Sequence, residues 1–237
     1  MRRILITNDD GIGADGIIRL ARAAVGFGEV WVVAPDGQRS AQSQSITMRA
    51  GVTVRPASFP VEGVRAFACT GTPADCVRIG ILNIVPGRPD TVLAGINNGY
   101  NVASDLQYSA TAGAAFEAVF QKVSAIAFSE AEHTRHAAAD RYLLPVLRDL
   151  ISRPAEEGRI WNVNFPDTEE EACRGILYDR TVSKDPFYED RYRAAENGDG
   201  SITYLLDGIR NYTGTEGTDL RAVIDGYVSV GTVAHIL

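Results

Sequence analysis

Short apolar runs recur along the chain at strand length: "RILIT" (3–7), "VWVVA" (30–34), "TVLAG" (91–95), "SAIAFS" (124–129) and "RIWNVNF" (159–165). Residues 16–25, 109–122 and 136–153 read as helices, and the turn-like "TGTPADC" (70–76) leads into a further one at 74–84. Near-continuous apolar strands alternating with helices predict βαβ units, with a parallel sheet covered on both faces. The expected fold class is α/β, a three-layer α/β/α sandwich whose sheet is mostly parallel. From about residue 170 the pattern changes: "GDGSITYLLDG" (198–208) and "DGYVSVGTV" (225–233) read as strands separated by Gly and Asp turns, and "SKDPFYEDRYRAAENGDG" (183–200) as a polar and aromatic loop. We expect a core over 1–168 and a β-rich segment over 169–237, with hairpins or arms that pack back on the core and serve subunit contact.

In such a sheet ligands sit beyond the carboxyl ends of the strands. The residues that follow the first three runs are Asn8, Asp9 and Asp10, then "PDGQRSAQS" (35–43), then "INNGYN" (96–101). These loops supply carboxylates, amides, hydroxyls and one arginine. Gly11, Gly13 and Gly16 also fit the G-x-G-x-x-G dinucleotide fingerprint, and Asp36 lies about 20 residues on, where such folds keep a ribose-binding acid. Against that reading, adjacent Asp9 and Asp10 would repel a pyrophosphate unless a cation lay between them. The pair suits a hard cation such as Mg²⁺, Mn²⁺ or Ca²⁺, and equally a helix start; the polar loops from other strands tip it towards metal. Arg39 and Ser40, beside Gln38 and Ser43, offer anion contacts and a hydroxyl ligand, or form a polar surface loop. In "YSATAGAAFEA" (108–118) Ser109 or Thr111 caps a helix whose free N–H groups suit a phosphate.

The 237 residues carry a net charge of −7, which argues against a nucleic-acid polymer as partner. With 45% hydrophobic and 22% charged residues the chain has the composition of an ordinary globular protein. Only three histidines occur, His133, His136 and His235, so a zinc centre or a Ser-His-Asp triad has little to draw on; His133 and His136 read as a solvated helix start. Cys69, Cys76 and Cys173 form no C-x-x-C unit and read as core thiols. Neither a signal peptide nor a membrane-length apolar run is evident, so a cytoplasmic location without membrane contact is expected.

Seven stretches in order carry a likeness to a known family: "ILITNDDGI" (4–12), "VVAPDGQRSAQSQSIT" (32–47), "GTPADCV" (71–77), "PDTVLAGINNGYN" (89–101), "YSATAGAAFEA" (108–118), "WNVNFP" (161–166) and "GTDLRAVIDGYVSV" (217–230). The chain resembles the SurE family of survival-protein phosphatases, which are metal-dependent nucleotidases. The resemblance implies a Rossmann-like α/β/α core and C-terminal arms exchanged within a homodimer or homotetramer. It implies that Asp9, Asp10, Ser40 and Asn97 bind one divalent cation per subunit, Mg²⁺ or Mn²⁺, with Ca²⁺ able to stand in. It places Asn101, Ser109 and Thr111 against the substrate phosphate, with Gly11 and Arg39 beside it and Asp9 and Asp10 as the catalytic acids. The implied reaction is hydrolysis of nucleoside 5′-monophosphates, with 3′-monophosphates and short polyphosphates as further substrates. The chain departs from the family at Ala110, where the middle residue of Ser-Gly-Thr is common, at Ala41, where Gly is usual, and at Gly13 and Asp15, where His and Pro are common. Two rival readings are an NAD-type dehydrogenase built on Gly11, Gly13, Gly16 and Asp36, and a nucleotide-binding protein in which Ala110 has impaired catalysis.

Overall fold

The computed structural model describes residues 1–132 and 134–235. The elements follow in the order β1 (Arg3–Thr7), α1 (Asp15–Ala24), β2 (Glu29–Pro35), β3 (Val54–Ala57), β4 (Arg65–Cys69), α2 (Pro73–Ile79), β5 (Thr91–Asn98), α3 (Ala110–Phe120), β6 (Ser124–Glu130), α4 (Ala137–Leu150) and β7 (Arg159–Phe165). After them come β8 (Ile176–Leu177), β9 (Tyr188–Glu189), β10 (Tyr192–Glu196), β11 (Ile202–Leu206), β12 (Ile209–Arg210), α5 (Asp219–Ile224) and β13 (Val228–Ala234). One nine-stranded sheet runs β3-β4-β2-β1-β5-β6-β7-β13-β8. Its six central strands are parallel, and their order of appearance gives the doubly wound sequence 3-2-1-4-5-6.

Alternation of side chains divides each central strand between two cores. Ile4 and Ile6 of β1, with Val30, Val32 and Ala34 of β2, join the buried faces of α1 and α4 on one side. Leu5, Trp31 and Val33 join α2 and α3 on the other. Helix α1 buries Ile17, Leu20, Ala21 and Ala24, one stripe at helical spacing. Helix α3 is buried nearly all round, and its small residues Ala112, Ala114, Ala115 and Ala118 let it sit deep against the sheet. The three-layer α/β/α expectation is met.

Some elements differ from the pattern reading. Strands β3 and β4 do not announce themselves: β3 contains Pro56 and is only half-buried at the sheet edge, so it lacks an apolar run. Helix α5 falls between the two strand-like stretches and goes unread in the pattern, because six residues capped by Thr218 are too short to show a period. Helix α2 ends early and continues as a π-type turn over 80–84. Strand β13 enters the main sheet antiparallel to β7, so the C-terminal segment contributes to the core. The β10–β11 hairpin lies outside it, with every residue exposed. The three cysteines are buried and unpaired. Among the described residues no helix is long and apolar enough to cross a membrane.

Gly16 shows what the glycine fingerprint does here. A Cβ at this position would lie 2.0 Å from the Ile96 carbonyl oxygen, so glycine lets α1 touch β5. Gly13 has open space around it. Gly16→Ala is expected to destabilise the protein by about 3 kcal/mol through overpacking against backbone that cannot yield. Urea unfolding checks this; unchanged stability would contradict the packing role.

Candidate active site

The strand order reverses between β1 and β5, because the chain leaves β1 for α1 on one face and β5 for α3 on the other. A crevice forms at such a reversal. Asp9 and Asp10 follow β1 directly into it, and Asn97 and Asn98 end β5, whose register with β6 shifts between Ala94 and Asn97. The backbone N–H of Asn98 donates to Asp10 Oδ2 at 3.1 Å, which ties the two strand ends together. Two more segments meet Asp9. Thr111 of α3 donates its hydroxyl to Asp9 Oδ1 at 2.6 Å, and the Arg39 N–H donates to the Asp9 carbonyl at 2.6 Å. Gly11, at φ +100°, lets the loop after β1 lie on Gly37 of the loop after β2, 3.3 Å from where a Cβ would stand.

Asp9 is only 3% exposed, and its carboxyl is pushed up to about 7. Burial is the main cause; the Thr111 hydrogen bond opposes it and the Asp10 charge adds to it. Burial also raises Asp10, against the Asn98 N–H. Among the described residues neither acid forms an ion pair with a basic side chain. A buried carboxylate beside a half-buried one, without a counter-ion, is costly, and a cation relieves both desolvation and repulsion. Among the described residues no cluster of three or more His, Cys, Asp or Glu exists, so a donor set here must be completed by neutral oxygens. Asn97 donates Nδ2 to the Gly99 carbonyl at 2.9 Å, which leaves Oδ1 as its free ligand atom. Ser40 is exposed, and its Oγ accepts from Gln38 Nε2 at 3.2 Å. Asn8 donates Nδ2 to Gly11 while its buried Oδ1 has no partner. An all-oxygen set with an orphaned carbonyl oxygen beside it fits a hard divalent cation.

Around this centre the expected residues take distinct positions. Ser109 caps α3, its Oγ accepting from the Ala112 N–H at 3.0 Å. Thr111 does not cap: it is fully buried and its hydroxyl proton is given to Asp9. Ala110 opens α3, fully buried, and takes the place of the common glycine without a left-handed backbone. Ala41 adopts φ 57° and Ser43 φ 49°, so the loop after Ser40 holds two non-glycine residues in the left-handed region. A Cβ on Gly113 would lie 2.2 Å from the Ser43 carbonyl oxygen, which shows how tightly this loop rests on α3. Asn101 is buried, and its Nδ2 donates to Ser129 Oγ at 2.7 Å. The Arg39 guanidinium turns to its own loop, with Asp36 at 3.3 Å and the Gln38 carbonyl at 3.1 Å. Asp36 is thereby engaged, by Arg55 as well at 3.4 Å, so it does not stand as a free ribose-binding acid. His136 precedes α4 in a left-handed conformation, with Nδ1 2.9 Å from Glu130 outside hydrogen-bonding geometry. His235 meets Gln44 at 2.7 Å, and His133 lies outside the described residues.

Several residues that shape the site went unread in the sequence. Asn162 and Asn164 donate to the Asn101 carbonyl at 2.9 and 3.0 Å, and Asn164 accepts from the Asn101 N–H at 2.9 Å. Their signal is two amides at a spacing of two in an otherwise apolar buried strand. Asp75 accepts from the Thr47 hydroxyl at 2.6 Å while closing a capping box with Thr72. The T-x-x-D pattern signals that cap, but the tie to Thr47 is long-range.

The family model described as Survival protein SurE matches residues 4–186. The 5′/3′-nucleotidase SurE of Cronobacter sakazakii is 38% identical over 99% of this chain and 90% of the relative. The 5′-nucleotidase SurE of Clostridium botulinum (strain Kyoto / Type A2) is 35% identical over 96% and 90%. The crystal structure of the SurE protein from Aquifex aeolicus superposes with a TM-score of 0.82 at 31% identity, covering 98% of this chain and 93% of that one. The acid pair at the reversal point, the fold and these matches agree, and the chain belongs to the SurE family.

Proposed function

We propose that the chain is a divalent-metal-dependent phosphomonoesterase that hydrolyses nucleoside 5′-monophosphates, and also 3′-monophosphates and short polyphosphates, to release phosphate. The observation that carries this reading is the pair of buried Asp9 and half-buried Asp10, without a basic partner among the described residues, at the carboxyl edge of β1. Asp9, Asp10, Ser40 and Asn97 hold Mg²⁺ or Mn²⁺, with Ca²⁺ as a competent occupant. The bound ion supplies Lewis-acid polarisation of the phosphoryl group and a lowered pKa for bound water. The chain's own residues do the rest. Thr111 fixes the Asp9 carboxylate, and the Ala110 and Thr111 N–H groups, which have no intrahelical partner at the start of α3, receive phosphate oxygens. Those donors favour the negative charge that develops on the phosphoryl group in the transition state. Gly11 lets its loop pack on Gly37, and the loops bearing Arg39 and Asn101 frame the crevice.

The names of the relatives, 5′-nucleotidase and 5′/3′-nucleotidase, support the substrate class. We further place the protein in the cytoplasm as a homodimer or homotetramer joined through its exposed arms, acting on small molecules rather than nucleic-acid polymers or membranes. The dehydrogenase alternative is disfavoured by the pairing of Asp36 with Arg39 and Arg55. Phosphate release from a panel of nucleoside 5′- and 3′-monophosphates and short polyphosphate, with Mg²⁺ or Mn²⁺, tests the reading. Release from the monophosphates is expected; no release together with saturable nicotinamide-cofactor binding would overturn it.

A further inference from the structure

A second concavity opens on the same carboxyl edge. It measures about 200 Å³ and is lined by Tyr100, Glu132, Phe187, Tyr188, Arg210 and Tyr212 among others. Tyr100 follows the end of β5, Glu132 the end of β6, and the Tyr100 hydroxyl accepts from the Asp167 N–H just past β7 at 2.7 Å. Tyr100 lies three residues past Asn97, so the cavity opens on the loop that leaves β5. Phe187 is its centre: Tyr188, Tyr100 and Tyr212 stand around that ring at 4.8, 5.7 and 6.2 Å, all edge to face. Tyr212 remains 61% exposed, so ring surface is left uncovered. At the mouth Arg210 meets Glu132 at 2.8 Å, a donor and an acceptor side by side.

We infer that this cavity receives the base of the nucleotide whose phosphate lies at Asp9, and so decides which phosphate esters are preferred. The inference rests on the phosphomonoesterase reading. The exposed Tyr212 ring accepts any base by stacking, which gives affinity with little dependence on base identity. The guanidinium and carboxylate match the acceptors and donors on a base edge. An alkyl or polyphosphate substrate would gain nothing from the same wall.

The test compares adenosine 5′-monophosphate with ribose 5-phosphate, which keeps the phosphate and sugar but lacks the base, using the full chain with Mn²⁺. Tyr212→Ala is expected to lower kcat/KM for the nucleotide about tenfold, through KM, by loss of one stacking face. Hydrolysis of ribose 5-phosphate should not change, because that substrate has no base to place in the cavity. An equal effect on both substrates, with or without a change in oligomer mass, or no effect on either, would overturn the inference. If the unaltered protein hydrolyses neither, the phosphomonoesterase reading fails on its own. Equilibrium dialysis with adenosine then decides the cavity: binding lost in Tyr212→Ala supports it, and absence of binding in the unaltered protein overturns it.

Discussion

Asp9→Asn is expected to abolish metal-stimulated phosphate release and, in the same molecule, to stabilise the metal-free fold at pH 8. Burial pushes the Asp9 carboxyl up to about 7, whereas in the unfolded chain it titrates near 3.9. The folded state therefore holds a proton that the unfolded state has already released. Metal-free wild-type protein is fully favoured by this group below about pH 4 and loses stability as pH rises to about 7, by up to about 1.4 kcal/mol per unit. Asparagine has no charge to bury, and its Oδ1 still accepts the Thr111 hydroxyl. In chelator at pH 8 the variant should exceed wild type by about 2 kcal/mol or more, and the gap should shrink as pH falls towards 4. Added Mn²⁺ should raise wild type and leave the variant unmoved. Urea unfolding at pH 5 and pH 8, with chelator and with Mn²⁺, reads all four conditions; a variant less stable than wild type at pH 8 in chelator would contradict the burial of an uncompensated charge.

Thr111→Val should lower kcat/KM by about 10- to 100-fold, as expected for a residue that orients a metal ligand through one hydrogen bond. The substitution keeps the volume of a fully buried side chain and removes only the donor to Asp9. Thr111→Ser, which retains the hydroxyl, should recover most of the loss. The valine variant should also need more Mn²⁺ for half-maximal rate, because the carboxylate it leaves behind is neither held nor partly neutralised. Activity and metal requirement equal to wild type in Thr111→Val would show that the 2.6 Å contact positions nothing.

What the sequence disclosed follows from which forces act locally. Strands buried on both faces must be apolar at nearly every position, so β1, β2, β5, β6 and β7 stand out as runs. Edge strand β3, half-buried and carrying Pro56, obeys no such constraint and stayed hidden. The gathering of Asp9, Asp10 and Asn97 was legible because loops that follow parallel strands share one edge. The partnership of Thr111 with Asp9 spans 102 positions and depends on how deep α3 sits, which no local pattern records. The glycine fingerprint was ambiguous for a physical reason: Gly16 answers the approach of α1 to β5, a need shared by folds that bind a pyrophosphate and folds that do not. Asp36 matched the spacing of a ribose-binding acid, but the Arg55 that engages it comes from β3, the strand the pattern did not show.

The most direct measurement is phosphate release from adenosine 5′-monophosphate by wild-type protein stripped with chelator and then titrated with Mn²⁺. The account predicts no release in chelator, a saturable rise with added ion, and no rise at any concentration in Asp9→Asn. Release undiminished by chelator, or equal release from the asparagine variant, would contradict it.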